Sequence, residues 1–257
     1  MAINRAGRYD ADPHVAEIYD TEWETEAPEV EQILGYTAGR GPLRILDPFC
    51  GTGRILIPLA RAGHELVGMD QCPRFLARLH SKLAQAPAEA QQRVTLIEGD
   101  VLDIPWPTGF DVVFLGGNCL WELGSAEEQE RVIASAASAL GVGGHVFLDS
   151  DVRGELPQVL PGEPGLHWAP SYTCADGTRL EFGNETVWYD APRRMHLGRG
   201  ITRITSPDGQ VTEVESTHQN HFPTVAHLRE WLDTHRLVPE FTKETERRAT
   251  YWARREG

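Results

Sequence analysis

No stretch of this chain is apolar for anything near the roughly 18 residues that a membrane-spanning helix needs. The opening MAINRAGRYDADPH also lacks the apolar segment of a secretory signal. Cytoplasmic residence without a membrane partner is the expectation. Cysteine is scarce: Cys50, Cys72, Cys119 and Cys174 are scattered and form no CxxC pair. That argues against a zinc site, a redox dithiol and a disulfide framework, and leaves free thiols. No His and carboxylate set has metal-ligand spacing, so metal independence is expected. Positive charge is short as well. Lys and Arg number 24 against 38 Asp and Glu, a net charge of −14. A chain that grips nucleic acid normally presents a basic face, so nucleic acid is disfavoured as a partner. There is no internal repeat, no low-complexity tract, and no GxxxxGK[ST] phosphate loop.

Acidic charge is dense early, in TEWETEAPEVE, where Glu22, Glu24, Glu26, Glu29 and Glu31 crowd together. The plain reading is a solvated helix face. The sharper one is a lid that favours a cationic ligand.

Beyond this acidic stretch, the chain alternates. Residues 12–37 read as one or two helices. Short strands follow at 43–47, 64–70, 94–100, 110–117 and 145–151, with helices at 53–62, 73–85 and 126–140 between them. Val/Ile/Leu-rich strands alternating with helices predict a parallel sheet covered on both faces, with right-handed crossovers. After residue 151 the period changes to two. Residues 168–222 read as antiparallel strands, with SPDGQ as a hairpin turn. A helix at 225–235 and two strands, in LVPEFT and RATYWARRE, close the chain.

The sharpest local signal is ILDPFCGTGRILIPLA, residues 45–60. Gly51 and Gly53 follow a strand directly, where backbone without side chains can approach a ligand closely. The next helix would offer N–H groups to an anionic part of that ligand. Asp70 ends the second strand, where a carboxylate can take ribose hydroxyls. A glycine bend with a strand-end acid points to an adenosine-containing cofactor. The NAD fingerprint needs a third glycine three residues after the second, and Leu56 stands there.

DPFCGTG, then the acid of LVGMD, EGD at 98–100 and FDVVFLGGN at 110–118 resemble, in order and spacing, the class I S-adenosylmethionine-dependent methyltransferases. The resemblance covers about 43–151. The family's first motif usually carries a glycine where Phe49 stands, a departure shared with its DPF-type variants. The resemblance implies a Rossmann-like, doubly wound, mostly parallel seven-stranded α/β sheet with an antiparallel insert before the last helix. The domain division it suggests is a helical lid at 1–42, a cofactor domain at 43–151 and 223–257, and a pocket-forming insert at 152–222. The implied cofactor is S-adenosyl-L-methionine, leaving as S-adenosyl-L-homocysteine. By the same resemblance Asp47, Phe49, Gly51 and Gly53 hold its methionine end, Asp70 and Gln71 its ribose, and Asp100 and Val101 its adenine. Leu115 and Gly116 would line the sulfonium side, and Tyr19 would close over the site.

GGNCLWEL lacks the [N/D]PP[Y/F] of enzymes that methylate nucleic-acid amino groups. Its GN-x-L form looks more like small-molecule N-methyltransferases of the glycine/sarcosine and aminosugar type. The implied acceptor is a small-molecule amine, with a hydroxyl acceptor, RNA or protein methylation, and non-catalytic binding as alternatives. The end of the fourth strand offers Asn118, Cys119, Trp121 and Glu122 as positioning groups, and of these Asn118 and Trp121 are candidates to hold the substrate. His218 is the candidate base, because His218 and His221, three apart on one strand, point to opposite faces. A monomer or homodimer is expected.

Overall fold

The computed structural model describes residues 9–23, 28–152 and 165–257. Two helices lead, α1 (Pro13–Trp23) and α2 (Pro28–Thr37). The alternating part follows as β1 (Arg44–Asp47), α3 (Leu56–Arg61), β2 (Glu65–Asp70), α4 (Pro73–Leu83), α5 (Ala88–Gln91), β3 (Val94–Glu98) and β4 (Phe110–Leu115). A 3-10 turn at Cys119–Glu122 leads to α6 (Ala126–Ala139) and β5 (Leu140–Asp151). Then come β6 (His167–Trp168), β7 (Tyr172–Thr173), β8 (Arg179–Asp190), β9 (Met195–Thr205) and β10 (Val211–His221). The chain ends in α7 (Val225–Thr234), β11 (Leu237–Glu244) and β12 (Arg248–Arg255).

The main sheet has seven strands in the order β11-β12-β5-β4-β1-β2-β3. β1 to β5 pair in parallel, while β12 runs antiparallel to both β5 and β11. This is the α/β, Rossmann-like, doubly wound architecture that the strand and helix pattern predicts. The order reverses between β4 and β1, which is where such sheets bind ligands. A second, antiparallel sheet runs β10-β9-β8-β6, with β7 also on β8. The SPDGQ turn joins β9 to β10, with Gly209 donating to the Ser206 carbonyl at 2.8 Å.

The parallel strands are buried on both faces, so neighbouring residues serve opposite cores. Ile45, Val112, Phe114 and Phe147 pack with α2, α3 and α4 through Ile33, Leu56, Leu59, Leu76 and Leu79. Leu46, Val113, Leu115, Val146 and Leu148 pack with α6 and α7 through Val132, Ile133, Leu228 and Trp231. This parity decides which side chains at the strand ends reach the bend after β1.

Two elements differ from the sequence expectation. β5 begins at Leu140 and takes in the glycine run 141–144, because bare backbone there can lie close to Phe110 of β4. Helix α3 begins at Leu56, not at Gly53. Gly53 has φ +85° and donates to the Cys50 carbonyl at 2.9 Å, a turn that no helix can continue through. A Cβ on Gly53 would also lie 2.2 Å from Leu79 Cδ1. Gly53→Ala therefore combines backbone strain with overpacking and should cost about 1–3 kcal/mol. The check is a fall in the urea midpoint with the slope unchanged; an unaltered midpoint would mean that the turn and Leu79 relax freely.

Candidate active site

The bend after β1 is held by backbone bonds to the end of β2. Cys50 N–H donates to the Met69 carbonyl at 3.0 Å. The Asp70 carboxylate takes the Gly51 N–H on one oxygen and the Cys72 N–H on the other, each at 2.8 Å. Gly51 sits at φ +50°, a left-handed conformation that glycine adopts without penalty. Gly99 N–H in turn donates to the Asp70 carbonyl at 3.0 Å, so the loop after β3 is tied to the same point.

These loops floor a cavity of about 110 Å³. Asp47, Gly51, Asp70, Gln71, Val101 and Gly116 line it, with Phe49 and Tyr19. Tyr9 and Tyr19 cover it, their ring centroids 5.1 and 5.0 Å from that of Phe75. Helix α1 is fastened above by Asp20, which pairs with Arg78 at 2.7 Å and Lys82 at 2.9 Å on α4. At its other end His14 bridges Asp12 and Asp176, the latter in the turn before β8.

A second cavity, of about 860 Å³, adjoins the first, and the two share Tyr9, Tyr19, Arg54, Gly117 and Glu122. One wall is apolar, from Val15 and Ile18 of α1 and Phe182 and Ile201 of β8 and β9. The other is polar, with Asp149, Thr250 and Arg248 hydrogen-bonded together and Glu29 paired with Arg54.

Several sequence candidates lie elsewhere. Leu115 is fully buried in the core against α6, as strand parity requires, and Phe114 lines the first cavity in its place. Gly53 packs under Leu79. Asp100 does not line the cavity: one of its carboxylate oxygens takes the Leu102 N–H at 2.8 Å, while Gly99 and Val101 on either side face the cleft. Asn118 adopts φ 62° and its side-chain oxygen takes the Asp151 N–H at 2.6 Å, a brace between β4 and β5. The Trp121 indole donates to the Asp151 carbonyl at 3.1 Å and packs its ring on Phe222. His218 stands on β10, the outer strand of the second sheet, across from Gly198, whereas β8 and β9 wall the cavity. His221 is buried and bonds Gln129 of α6 at 2.7 Å.

The sequence reading missed Tyr9, Thr52, Arg54 and Phe75, and it placed Glu122 among the positioning groups without assigning it a role. Arg54 follows Gly53 directly, and its partner is Glu29 of the acidic run. Glu29 is only 6% exposed, so that residue belongs neither to a solvated face nor to a free acidic lid. Glu31 is exposed, and the side chains of Glu22, Glu24 and Glu26 lie outside the described residues. Among the described residues no group of three or more His, Cys, Asp and Glu side chains is placed to hold a metal.

Residues 45–144 match the model of the methyltransferase domain family. That segment runs from β1 into β5 and carries the glycine bend and Asp70. The chain is 31% identical over 120 residues to the cypemycin N-terminal methyltransferase of a Streptomyces species, 46% of this chain and 46% of that protein. It is 29% identical over 146 residues to the ubiquinone biosynthesis O-methyltransferase of Idiomarina loihiensis, 55% of this chain and 57% of that one. The chain thus spans about half the length of these curated relatives. The solved structure of KedS8, a sugar N-methyltransferase from a Streptoalloteichus species, matches over 100% of this chain and 99% of its own, with a TM-score of 0.71 and 18% identity, a likeness of fold.

Desolvation pushes the buried Asp47 carboxyl up to about 7; the Phe49 N–H and Arg54 pull it down and Asp70 pushes it up. An acid whose pKa in the fold exceeds the ordinary 3.8 holds its proton in the fold across that window. The contribution of Asp47 to stability therefore falls by about 1.4 kcal/mol per pH unit as pH rises from about 4 to 7 and is level above that. Asp47→Asn should flatten the slope, read as urea midpoints at about pH 5 and about pH 8. An unchanged slope would show that Asp47 is ionised throughout.

Proposed function

We propose that this chain transfers a methyl group from S-adenosylmethionine to a small molecule, with an amine nitrogen as acceptor. The observation that carries the reading is the pair of joined cavities at the switch point of a methyltransferase domain: a narrow cleft over Asp47, Gly51 and Asp70, and a wide chamber beside it.

The cleft suits this cofactor. Asp47 is a buried acid that a cationic ligand group would compensate. Thr52 has a buried hydroxyl with no hydrogen-bond partner among the described residues, ready for a polar ligand group. Each Asp70 oxygen keeps a lone pair for a ribose hydroxyl after taking its backbone bond. Asp47, Thr52 and the Gly51 bend would hold the methionine end, Asp70 and Gln71 the ribose, and Val101 the adenine. At about 110 Å³ the cleft is below the roughly 300–1,000 Å³ of ordinary ligand sites, so Tyr9 and Tyr19 move aside when the cofactor enters. We assign residues 1–42 as the lid, 152–222 as the substrate-pocket insert, and 43–151 with 223–257 as the cofactor domain.

The bound cofactor supplies an electrophilic methyl on a charged sulfur. The chain's part is to hold donor and acceptor in line and to exclude water, which is where most of the barrier reduction for such a displacement arises. Similarity to an N-terminal methyltransferase and to the fold of a sugar N-methyltransferase supports nitrogen. Similarity to the ubiquinone enzyme keeps a hydroxyl acceptor as the second reading.

Calorimetric titration with S-adenosylhomocysteine beside NADH tests the first half: micromolar binding of the former alone is expected. Asp70→Ala should weaken that binding by about 1–3 kcal/mol, through the lost ribose bond and the loosened Gly51 amide. Unchanged affinity would remove Asp70 from the cofactor site. A screen of amines and alcohols for methyl acceptance then separates the two acceptor readings.

A further inference from the structure

We infer that Glu122 is the residue that faces the acceptor nitrogen, holding it by a charge-assisted hydrogen bond in front of the donated methyl. This rests on the methyltransferase reading above.

The two cavities meet at a neck formed by the residues they share. A methyl acceptor must reach from the wide chamber into the narrow cleft, so its reacting atom passes the residues common to both. Of those five, Arg54 and Glu122 are charged. Arg54 is engaged by Glu29. The other carboxylate of the polar wall, Asp149, is taken by Arg248 and Thr250. Glu122 differs. It is exposed at the neck, and among the described residues no Lys or Arg pairs with it. Its one hydrogen bond among those residues comes from the Tyr9 hydroxyl at 3.1 Å, and a carboxylate can accept about four.

Two further observations agree. The negative charge of Glu122 reaches the floor of the cleft, where it helps push up the Asp70 carboxyl and the Cys119 thiol. The turn that carries it is also fixed on both sides. Trp121 N–H donates to the Asn118 carbonyl at 2.8 Å and its indole to Asp151, while the Asn220 amide caps the Trp121 carbonyl. His221 N–H donates to the Leu123 carbonyl at 3.1 Å. A group so placed can stay put while charge develops in front of it, which is the condition for electrostatic catalysis.

The step balances as follows. The neutral nitrogen gives its lone pair to the methyl carbon, and the carbon–sulfur bond breaks with its pair going to sulfur. The positive charge moves from sulfur to nitrogen, where the Glu122 carboxylate meets it. The extra proton leaves to solvent after release.

The test needs no knowledge of the acceptor. Sinefungin carries an ammonium where the cofactor carries its methyl, so it places a cation at the proposed position; S-adenosylhomocysteine places none. Wild-type protein should bind sinefungin about tenfold or more tighter than S-adenosylhomocysteine. Glu122→Gln should abolish that preference while leaving S-adenosylhomocysteine affinity within about twofold. Tyr9→Phe, which removes the hydrogen bond but keeps the charge, should retain the preference. Equal losses for both ligands in Glu122→Gln would make the residue a structural latch for Tyr9 and overturn the inference. So would a preference that survives Glu122→Gln, or wild-type protein that binds S-adenosylhomocysteine without preferring sinefungin. Wild-type protein that binds neither ligand overturns the methyltransferase reading itself, and this assignment with it.

Discussion

The bond pair at Asp70 is the constraint on which the candidate site depends. One carboxylate at the end of β2 fixes the amide of Gly51 in the loop after β1 and the amide of Cys72 at the entry to α4. Those loops come from different crossovers, and nothing in the sheet's own hydrogen bonding joins them. The Gly99 amide on the Asp70 carbonyl adds the loop after β3. Burial raises the Asp70 carboxyl, with the Cys72 and Gly51 amides opposing it. Backbone donors there replace part of the lost water and favour the charged form. Asp47, on the neighbouring strand, has a backbone donor in the Phe49 N–H at 3.3 Å, and its carboxyl is likewise pushed up by burial.

The fold was legible in the sequence because its information is local. The buried strands, the glycines after α3 and α6 and the switch to period two after residue 151 each show in a window of a few residues. The lining of the narrow cleft was legible in part because it sits on the same local features: Asp47, Gly51, Asp70, Gln71 and Val101 all lie within four residues of a strand end. Leu115 shows the limit. Position at a strand end does not say which face a side chain takes, and a one-residue change of parity sends it to the other core.

The wide chamber was not legible, for a different reason. It is assembled from Val15, Phe182, Ile201 and Arg248, which no sequence window brings together. Asn118, Trp121 and His218 have the residue types of a substrate site. In the fold, Asn118 and Trp121 are spent on β5, and His218 stands on the wrong strand. Glu122 stands in the same stretch, GGNCLWEL, and nothing local to that stretch says which of its side chains the fold commits to β5 and which face the neck.

The cover over the cleft combines firm ends with a soft middle. Asp20 holds α1 to α4 through two cations while itself only 4% exposed, and His14 ties the start of α1 to the second sheet. Burial alone would lower His14, and the carboxylates of Asp12 and Asp176 outweigh it, so the bridge is strongest where the imidazole is charged. Between these anchors the contacts over the cleft include those of the Tyr9 and Tyr19 rings on Phe75 and the hydrogen bond from Tyr9 to Glu122. Such contacts are worth about 0.5–1.5 kcal/mol each beyond the area they bury, far less than separating a buried ion pair. Tyr9 and Tyr19 lie directly over the cleft and also line the chamber beside it. Through its hydroxyl Tyr9 ties that cover to Glu122, so a displacement of Tyr9 that opens the cleft would also release the Glu122 carboxylate.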